Sequence, residues 1–385
     1  MKLHEFQSKE ILSRFGLRAP KGGVAITPEQ ARDIASDLGA SRLFVKAQVH
    51  AGGRGEAGGV KAAASPVEAE QAARALLGLR LITEQSGTAG CFVKRVLIEE
   101  CADVTRAIHL SLRVEPSVGG IVLTGSTQGG SGIEQRAAAG EATIERLFLG
   151  AGDGVPLAET GAFASRLGFH GDQNTALTLL IKGLLGAFVE LDASLIEINP
   201  LALTADGTLL ALDAKLSIDD NALHRQPSLA ALREEDELEL SAQQRQLNYI
   251  RMDGNIGLAA NGAGLGLATL DMVCAARGRP ANFMDIRTTA TSLDIAHGFG
   301  LILDNPNVRA LLINVHGGGM QPCDTVADGL GIAMRRTGRS LPTIVRLAGN
   351  NAAFARQRFE NFGCRIVDCP DMWTAAQRAV AAAAA

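Results

Sequence analysis

Between Val45 and Lys61 the chain reads VKAQVHAGGRGEAGGVK, two glycine pairs set around Arg54 and preceded by Lys46. Glycines let successive backbone N–H groups turn toward an anion, and the two cations supply the positive charge that a triphosphate requires. The segment therefore reads as a phosphate cover, with Lys46 buried and Arg54 exposed. It lacks the G-x-x-x-x-G-K-[ST] spacing, which excludes a Walker-type P-loop. On this segment alone, a mobile glycine loop with incidental basic residues is the alternative.

A second constellation, LIEINPLALTADGTLLALDAKL from Leu195 to Leu216, favours the phosphate reading. Two alternating apolar runs flank Ala205-Asp206-Gly207, which is a hairpin signal. A three-residue loop with Gly207 left-handed pairs Thr204 with Thr208 and places Asn199 opposite Asp213, whereas a two-residue loop sends them to opposite faces. Leu195, Glu197 and Asn199 share one strand face, and Ile196 and Ile198 face the core. An amide carbonyl and a carboxylate about 5 Å apart suit Mg²⁺, which takes one or two protein oxygens and fills its shell with phosphate and water. A solvated hairpin face is the alternative.

Together with MKLHEFQSKEIL, DDNAL, NGAGL and VRLAGNN, these segments resemble the β subunit of ADP-forming succinyl-CoA synthetase and its relatives, including malate–CoA ligase and citrate-cleaving homologues. The resemblance runs over essentially the whole chain. It implies an α/β protein, an α+β ATP-grasp half followed by a flavodoxin-like parallel-sheet CoA-ligase domain. It also implies nucleotide contacts from Lys46, Gly53, Arg54, Gly55, Glu99 and the backbone of Ala102, with Mg²⁺ on Asn199 and Asp213. Glu197 and Arg54 take the catalytic roles, Glu197 facing and orienting an incoming phosphohistidine. Pro20 matches the ATP-using members, and Ala107 stands where the family often has Glu.

The resemblance further implies a partner α subunit, in an αβ or α2β2 assembly, that carries the phosphohistidine and binds most of CoA. Phosphate would pass from ATP to that histidine and then to the acid, after which CoA displaces it to give an acyl-CoA. Without the partner the chain would be inactive. A stand-alone ATP-grasp carboxylate ligase and a catalytically silent or regulatory paralogue are the competing classes; turnover by the isolated chain separates the first, and absence of turnover with the partner the second.

Composition points the same way. A chain of 385 residues accommodates two or three domains with full cores. Its net charge of -4 offers no polyanion footprint, so nucleic acid is not an expected partner. No apolar run reaches about 18 residues and no signal-peptide pattern opens the chain, so the expectation is a cytoplasmic protein away from membranes. Cys91, Cys101, Cys274, Cys323, Cys364 and Cys369 show no metal-type pairing and read as reduced thiols.

The elements that position these residues divide the chain into an ATP-grasp domain over 1–224, a charged linker over 225–247 and a CoA-ligase domain over 248–385. Strands at about 255–260, 281–286, 309–315, 342–347 and 364–368 alternate with helical segments, predicting a parallel sheet covered on both faces. Asp324 and Asp371 read as helix starts. Gly262-Ala263-Gly264 and Asp285 imitate a dinucleotide fingerprint, but Leu267 replaces its third glycine, which disfavours an NAD-binding dehydrogenase.

By resemblance, the acid meets Asn261 and the loop Gly317, Gly318, Gly319 and Met320. Two loops depart from the family pattern. Asp285-Ile286-Arg287-Thr288-Thr289-Ala290 stands for D-[IV]-G-G-G-A, and the loop after His316 is one residue longer. Arg287 can form a bidentate pair with an extra carboxylate or sulfonate, or point to solvent or a subunit interface. His316 either binds acid or phosphate or is a hydrogen-bonded structural residue.

Overall fold

The structure, a computed structural model, describes residues 1–86, 90–117, 119–130, 132–149, 157–234, 237–316 and 321–384. The chain forms two compact units, Met1–Arg233 and Glu234–Ala385.

The first unit opens with helix α1 (Glu5–Ser13), followed by β1 (Gly22–Ala25), α2 (Pro28–Leu38), β2 (Leu43–Ala47), β3 (Val60–Ala63), α3 (Pro66–Leu76), the short pair β4 (Arg80–Leu81) and β5 (Cys91–Phe92), and β6 (Val96–Glu100). Two of these helices start alike. Thr27 and Ser65 each precede a proline at the first helical position, and their hydroxyls accept from the N–H groups of Gln30 and Glu68. Strands β1, β6, β2 and β3 form an antiparallel four-stranded sheet. Alternation along β2 sends Leu43, Val45 and Ala47 into the core with Ala31, Ala35 and Leu76, and leaves Phe44 and Lys46 on the other face.

A larger sheet follows, from β7 (Val104–Glu115) and β8 (Gly120–Ser126) through α4 (Ile133–Ala138), β9 (Glu145–Leu149), α5 (Leu157–Arg166) and α6 (Gly171–Glu190) to β10 (Ala193–Thr204), β11 (Leu209–Ala211) and β12 (Ala214–Ile218), with α7 (Pro227–Ala230) after it. Its strand order is β11-β10-β7-β8-β9, and β12 pairs with the first half of β10. Phe163, Leu177, Ile181 and Leu184 pack with Ile196 and Ile198 in one apolar core. Gly183 lets α6 pass against the turn after α1: a Cβ there would run into the carbonyl oxygen of Phe15. Gly183→Ala is therefore expected to destabilise this unit by about 1–3 kcal/mol, read as a lowered denaturation midpoint.

The second unit contains α8 (Glu237–Gln243), β13 (Leu247–Arg251), β14 (Ile256–Ala260), α9 (Ala263–Ala275), β15 (Asn282–Ile286), α10 (Ser292–Leu303), β16 (Ala310–His316), α11 (Cys323–Thr337), β17 (Thr343–Ala348), α12 (Ala352–Asn361), β18 (Ile366–Asp368) and α13 (Met372–Ala384). Its sheet runs β13-β15-β14-β16-β17-β18. Strands β14 to β18 are parallel, as their alternation with helices predicts, in the 2-1-3-4-5 order of flavodoxin-like folds. β13 is an antiparallel edge strand that the sequence pattern does not reveal. Helices α9 and α13 cover one face; α10, α11 and α12 cover the other. α11 is capped by Pro322, so Asp324 lies in its first turn and not at its start, whereas Asp371 does cap α13, accepting from the N–H of Thr374 at 2.8 Å.

Candidate active site

The hairpin adopts the three-residue register. The N–H of Thr204 donates to the carbonyl of Thr208 at 3.0 Å, Gly207 takes φ +81°, and the N–H of Asn199 donates to the carbonyl of Asp213 at 3.2 Å. Glu197 pairs with Lys215 across the same strands, and the Lys215 ammonium donates to its carboxylate at 2.8 Å. Ile196 and Ile198 are buried on the opposite face.

A cavity of about 420 Å³ lies beside this hairpin and is lined by Lys46, Gly53, Arg54, Gly55, Glu99, Ala102, Asn199 and Asp213, together with the apolar groups Pro20, Phe44 and Val104. The residues expected at the nucleotide and the metal are thus brought together. Gly53, Asn199 and Asp213 also border an adjoining cleft of about 740 Å³, into which Glu197, Lys215 and His109 open. Glu197 lines only this second cleft.

Arg54 departs from its expected exposure. Only 8% exposed, it donates through Nη2 to Glu5 Oε2 at 2.7 Å and to Asp213 Oδ1 at 3.0 Å, and through Nη1 to the Ala47 carbonyl at 2.8 Å. The glycine loop folds its arginine inward because two carboxylates and a strand-end carbonyl offer the planar guanidinium matched acceptors. Within the loop, Gly53 and Gly58 take left-handed φ, and the N–H of Gly59 donates to the Arg54 carbonyl at 2.7 Å.

Helix α1 contributes what the sequence reading missed. Glu5, 5% exposed, accepts from Lys9, Lys46, Arg54 and Gln48, and Glu99, 2% exposed, accepts from Lys9 and Lys46. Lys9, Lys46 and Arg54 balance Glu5, Glu99 and Asp213, so the buried network is neutral overall. Burial disfavours the Glu5 anion, but Lys46, Lys9 and Arg54 outweigh it and hold the carboxyl well below its usual range. Burial likewise disfavours the Lys46 cation, and Glu5 and Glu99 reverse the effect and raise it above the ordinary lysine range. A carboxyl depressed in this way stabilises the fold above the ordinary carboxylate range, a contribution lost as pH falls through the lowered value. In sequence, Glu5 and Lys9 read as an ordinary i,i+4 pair on a solvated helix face; only packing shows them buried.

Asn199 also has work within the protein. Its Oδ1 accepts from the N–H of Gly130 at 2.6 Å and its Nδ2 donates to the Gly130 carbonyl at 3.1 Å, fixing the loop after β8 to the hairpin.

In the second unit the carboxyl ends of β14, β15 and β16 carry the remaining candidates. The Asn261 side chain accepts from the N–H of His316 at 2.9 Å and donates to its carbonyl at 3.1 Å, locking two strand ends together. Asp285 accepts from the N–H of Gly262 at 2.7 Å and from Asn248 Nδ2 at 2.9 Å. The loop N–H that a dinucleotide pyrophosphate would use is thereby occupied, which argues against the dehydrogenase reading. Arg287 is exposed and donates to Asn248 Oδ1 at 2.8 Å. The imidazole Nδ1 of His316 lies 3.2 Å from Arg346 Nη1. A guanidinium only donates, so Nδ1 accepts and Nε2 carries the ring proton. Gly317, Gly318, Gly319 and Met320 lie outside the described residues.

Among the described residues no helix is long and apolar enough to cross a membrane. A family profile for the ATP-grasp domain matches residues 2–203, and one for CoA-ligase matches residues 259–380. The succinate–CoA ligase [ADP-forming] subunit beta of Anaeromyxobacter dehalogenans (strain 2CP-C) is 42% identical over 388 residues and covers 100% of both chains. The subunit of the same name from Chlorobium limicola is 43% identical over 397 residues, again covering 100% of both. Among solved structures, ATP citrate lyase from Methanothrix soehngenii in complex with citrate and coenzyme A shares the fold, with a TM-score of 0.73 at 17% identity and 99% of each chain covered. With both profiles in order and relatives aligned end to end, the chain belongs to the family of ADP-forming succinate–CoA ligase β subunits.

Proposed function

We propose that the chain binds Mg-ATP in the cavity between Lys46 and Asp213 and passes phosphate to a histidine of a cytoplasmic α subunit partner, in an αβ or α2β2 complex. One observation carries this reading: the nucleotide-side residues line one cavity, Glu197 lines the next, and Asn199 and Asp213 stand at the border of both. A phosphoryl group crossing that border passes from a cation-lined pocket to a carboxylate able to orient an imidazole.

The donor set at the border suits a hard divalent cation. Arg54 engages one of the two Asp213 oxygens, and the Asn199 carbonyl retains a lone pair beyond its bond from Gly130. Bound there, Mg²⁺ would neutralise phosphate charge and orient the triphosphate. Lys46 and Arg54, both themselves largely buried, supply fixed positive charge beside it. The histidine imidazole then takes the γ-phosphoryl group and ADP leaves. The acid carboxylate takes phosphate from the histidine, and the CoA thiol displaces phosphate to give the acyl-CoA.

The reading is tested by co-expressing the chain with an α-like protein and following ADP release with CoA across a panel of dicarboxylates, hydroxy acids and sulfo acids. Turnover with the complex and none with either chain alone is expected; turnover by the chain alone would point to a stand-alone ligase.

The acid is proposed to be succinate or a more polar relative such as malate. Arg287 and the two threonines after it bring a cation and hydroxyls to the carboxyl end of β15, where the family pattern has glycines. A site built to bind an extra polar group rejects an analogue lacking it, because its own polar groups are left unpaired. Arg287→Gly is expected to lower kcat/KM for the preferred acid by about 10²-fold and to narrow its lead over succinate. If every acid is affected alike, Arg287 serves a subunit contact.

A further inference from the structure

Two lysines in the first unit bind the same three groups. Lys9 Nζ donates to Glu5 Oε1 at 2.7 Å, Glu99 Oε1 at 2.6 Å and the Leu212 carbonyl at 2.9 Å. Lys46 Nζ donates to Glu5 Oε1 at 3.1 Å, Glu99 Oε2 at 2.6 Å and the same Leu212 carbonyl at 2.7 Å. Placing two ammonium groups on one set of acceptors brings like charges together, a cost that needs an explanation. The two differ in one respect: Lys46 lines the 420 Å³ cavity, and Lys9, projecting from α1, does not.

A nucleotide alters the charge balance. To reach a phosphate, Lys46 must loosen its hold on Glu5, which keeps Arg54, and on Glu99, whose ion pairs are with Lys9 and Lys46, and a buried carboxylate left without its cation is strongly destabilised. Lys9 already touches both carboxylates and the carbonyl, and its i,i+4 placement on α1 keeps it beside Glu5. We propose that Lys9 is a positioning residue, a resident counter-cation that lets Lys46 turn to a nucleotide phosphate while Glu5 and Glu99 stay neutralised. The inference rests on the Mg-ATP reading above.

Calorimetric titration of Mg-ATP into the full chain tests it, with thermal melts to verify folding. Lys9→Met is expected to weaken binding at least tenfold, because Lys46 then becomes the only lysine serving two carboxylates. Lys9→Arg should stay within about threefold of wild type. Adding Glu5→Gln should recover part of the Lys9→Met loss, since it restores equal numbers of cations and carboxylates in the network and leaves Lys46 one carboxylate fewer to serve; loss of packing alone would not be repaired by neutralising a carboxylate. Binding by Lys9→Met within twofold of wild type overturns the inference, as does an equal loss in Lys9→Arg or a Glu5→Gln background that restores nothing. Should Lys9→Met not fold, the double variant is compared with Glu5→Gln alone: weaker binding supports the role and equal binding overturns it. A wild-type chain that fails to bind Mg-ATP would instead sink the nucleotide reading itself.

Discussion

Asp213→Ala is expected to abolish ATP-dependent phosphorylation of the partner's histidine while leaving the chain folded. The substitution removes the one carboxylate among the described residues that borders both the 420 Å³ cavity and the adjoining cleft. Of the carboxylates nearby, Glu5 and Glu99 are already held by cations and Glu197 by Lys215, which leaves them poorly placed to replace it at the proposed metal position. The Asp213 side chain is 28% exposed and its pair with Arg54 is one of three that Arg54 makes, so stability should change by about 1 kcal/mol or less. Radiolabel transfer from γ-labelled ATP at limiting Mg²⁺ gives the measurement. Normal phosphohistidine formation in this variant would remove Asp213 from the metal site and with it the functional reading of the hairpin.

The second large effect is expected at Arg54, where the structure changes the form of the experiment. An exposed cover-loop cation would affect the transition state and little else, so Arg54→Ala would cut phosphoryl transfer by roughly 10² or more with only modest weakening of ATP binding. Arg54 is instead buried against Glu5 and Asp213, and its loss removes one of the three cations that balance the network, at a cost of about 3 kcal/mol. Both effects should appear, a much lower melting temperature and a kcat loss of at least that size in the protein that remains folded. Arg54→Lys should recover little of either, because a single ammonium cannot span both carboxylates as the guanidinium fork does. A raised KM for ATP at unchanged kcat would make Arg54 a uniform binding residue and refute the transition-state role.

What the sequence made legible follows from how local each signal is. The hairpin register needed only a three-residue loop, a left-handed glycine and alternation, and all are local to residues 195–216. The parallel sheet announced itself because β14 and β16 are buried on both faces and therefore read as nearly continuous apolar runs, broken within β16 by Asn314. The antiparallel edge strand Leu247–Arg251 escaped because it follows directly on a charged stretch and only its partner β15 defines it. Arg54 was misjudged, and Glu5 and Lys9 overlooked, for one shared reason. Charged residues look solvated in sequence, and whether they are buried depends on opposite charges delivered by distant elements.

The reach of helix α1 also orders events as the chain is made. Lys9 bonds the Leu212 carbonyl across 203 residues of sequence, and the N–H of Leu3 donates to the Leu216 carbonyl. Helix α1 must therefore wait for one of the last strands of its own unit. At ordinary rates of synthesis that interval is roughly 10–40 seconds, during which Lys9 lacks the carbonyl that completes its contacts. The proposed nucleotide pocket, although the network beside it draws on helix α1, closes among the last features of its unit to form, so a nascent chain released before residue 213 should hold no ATP however well its earlier strands have folded.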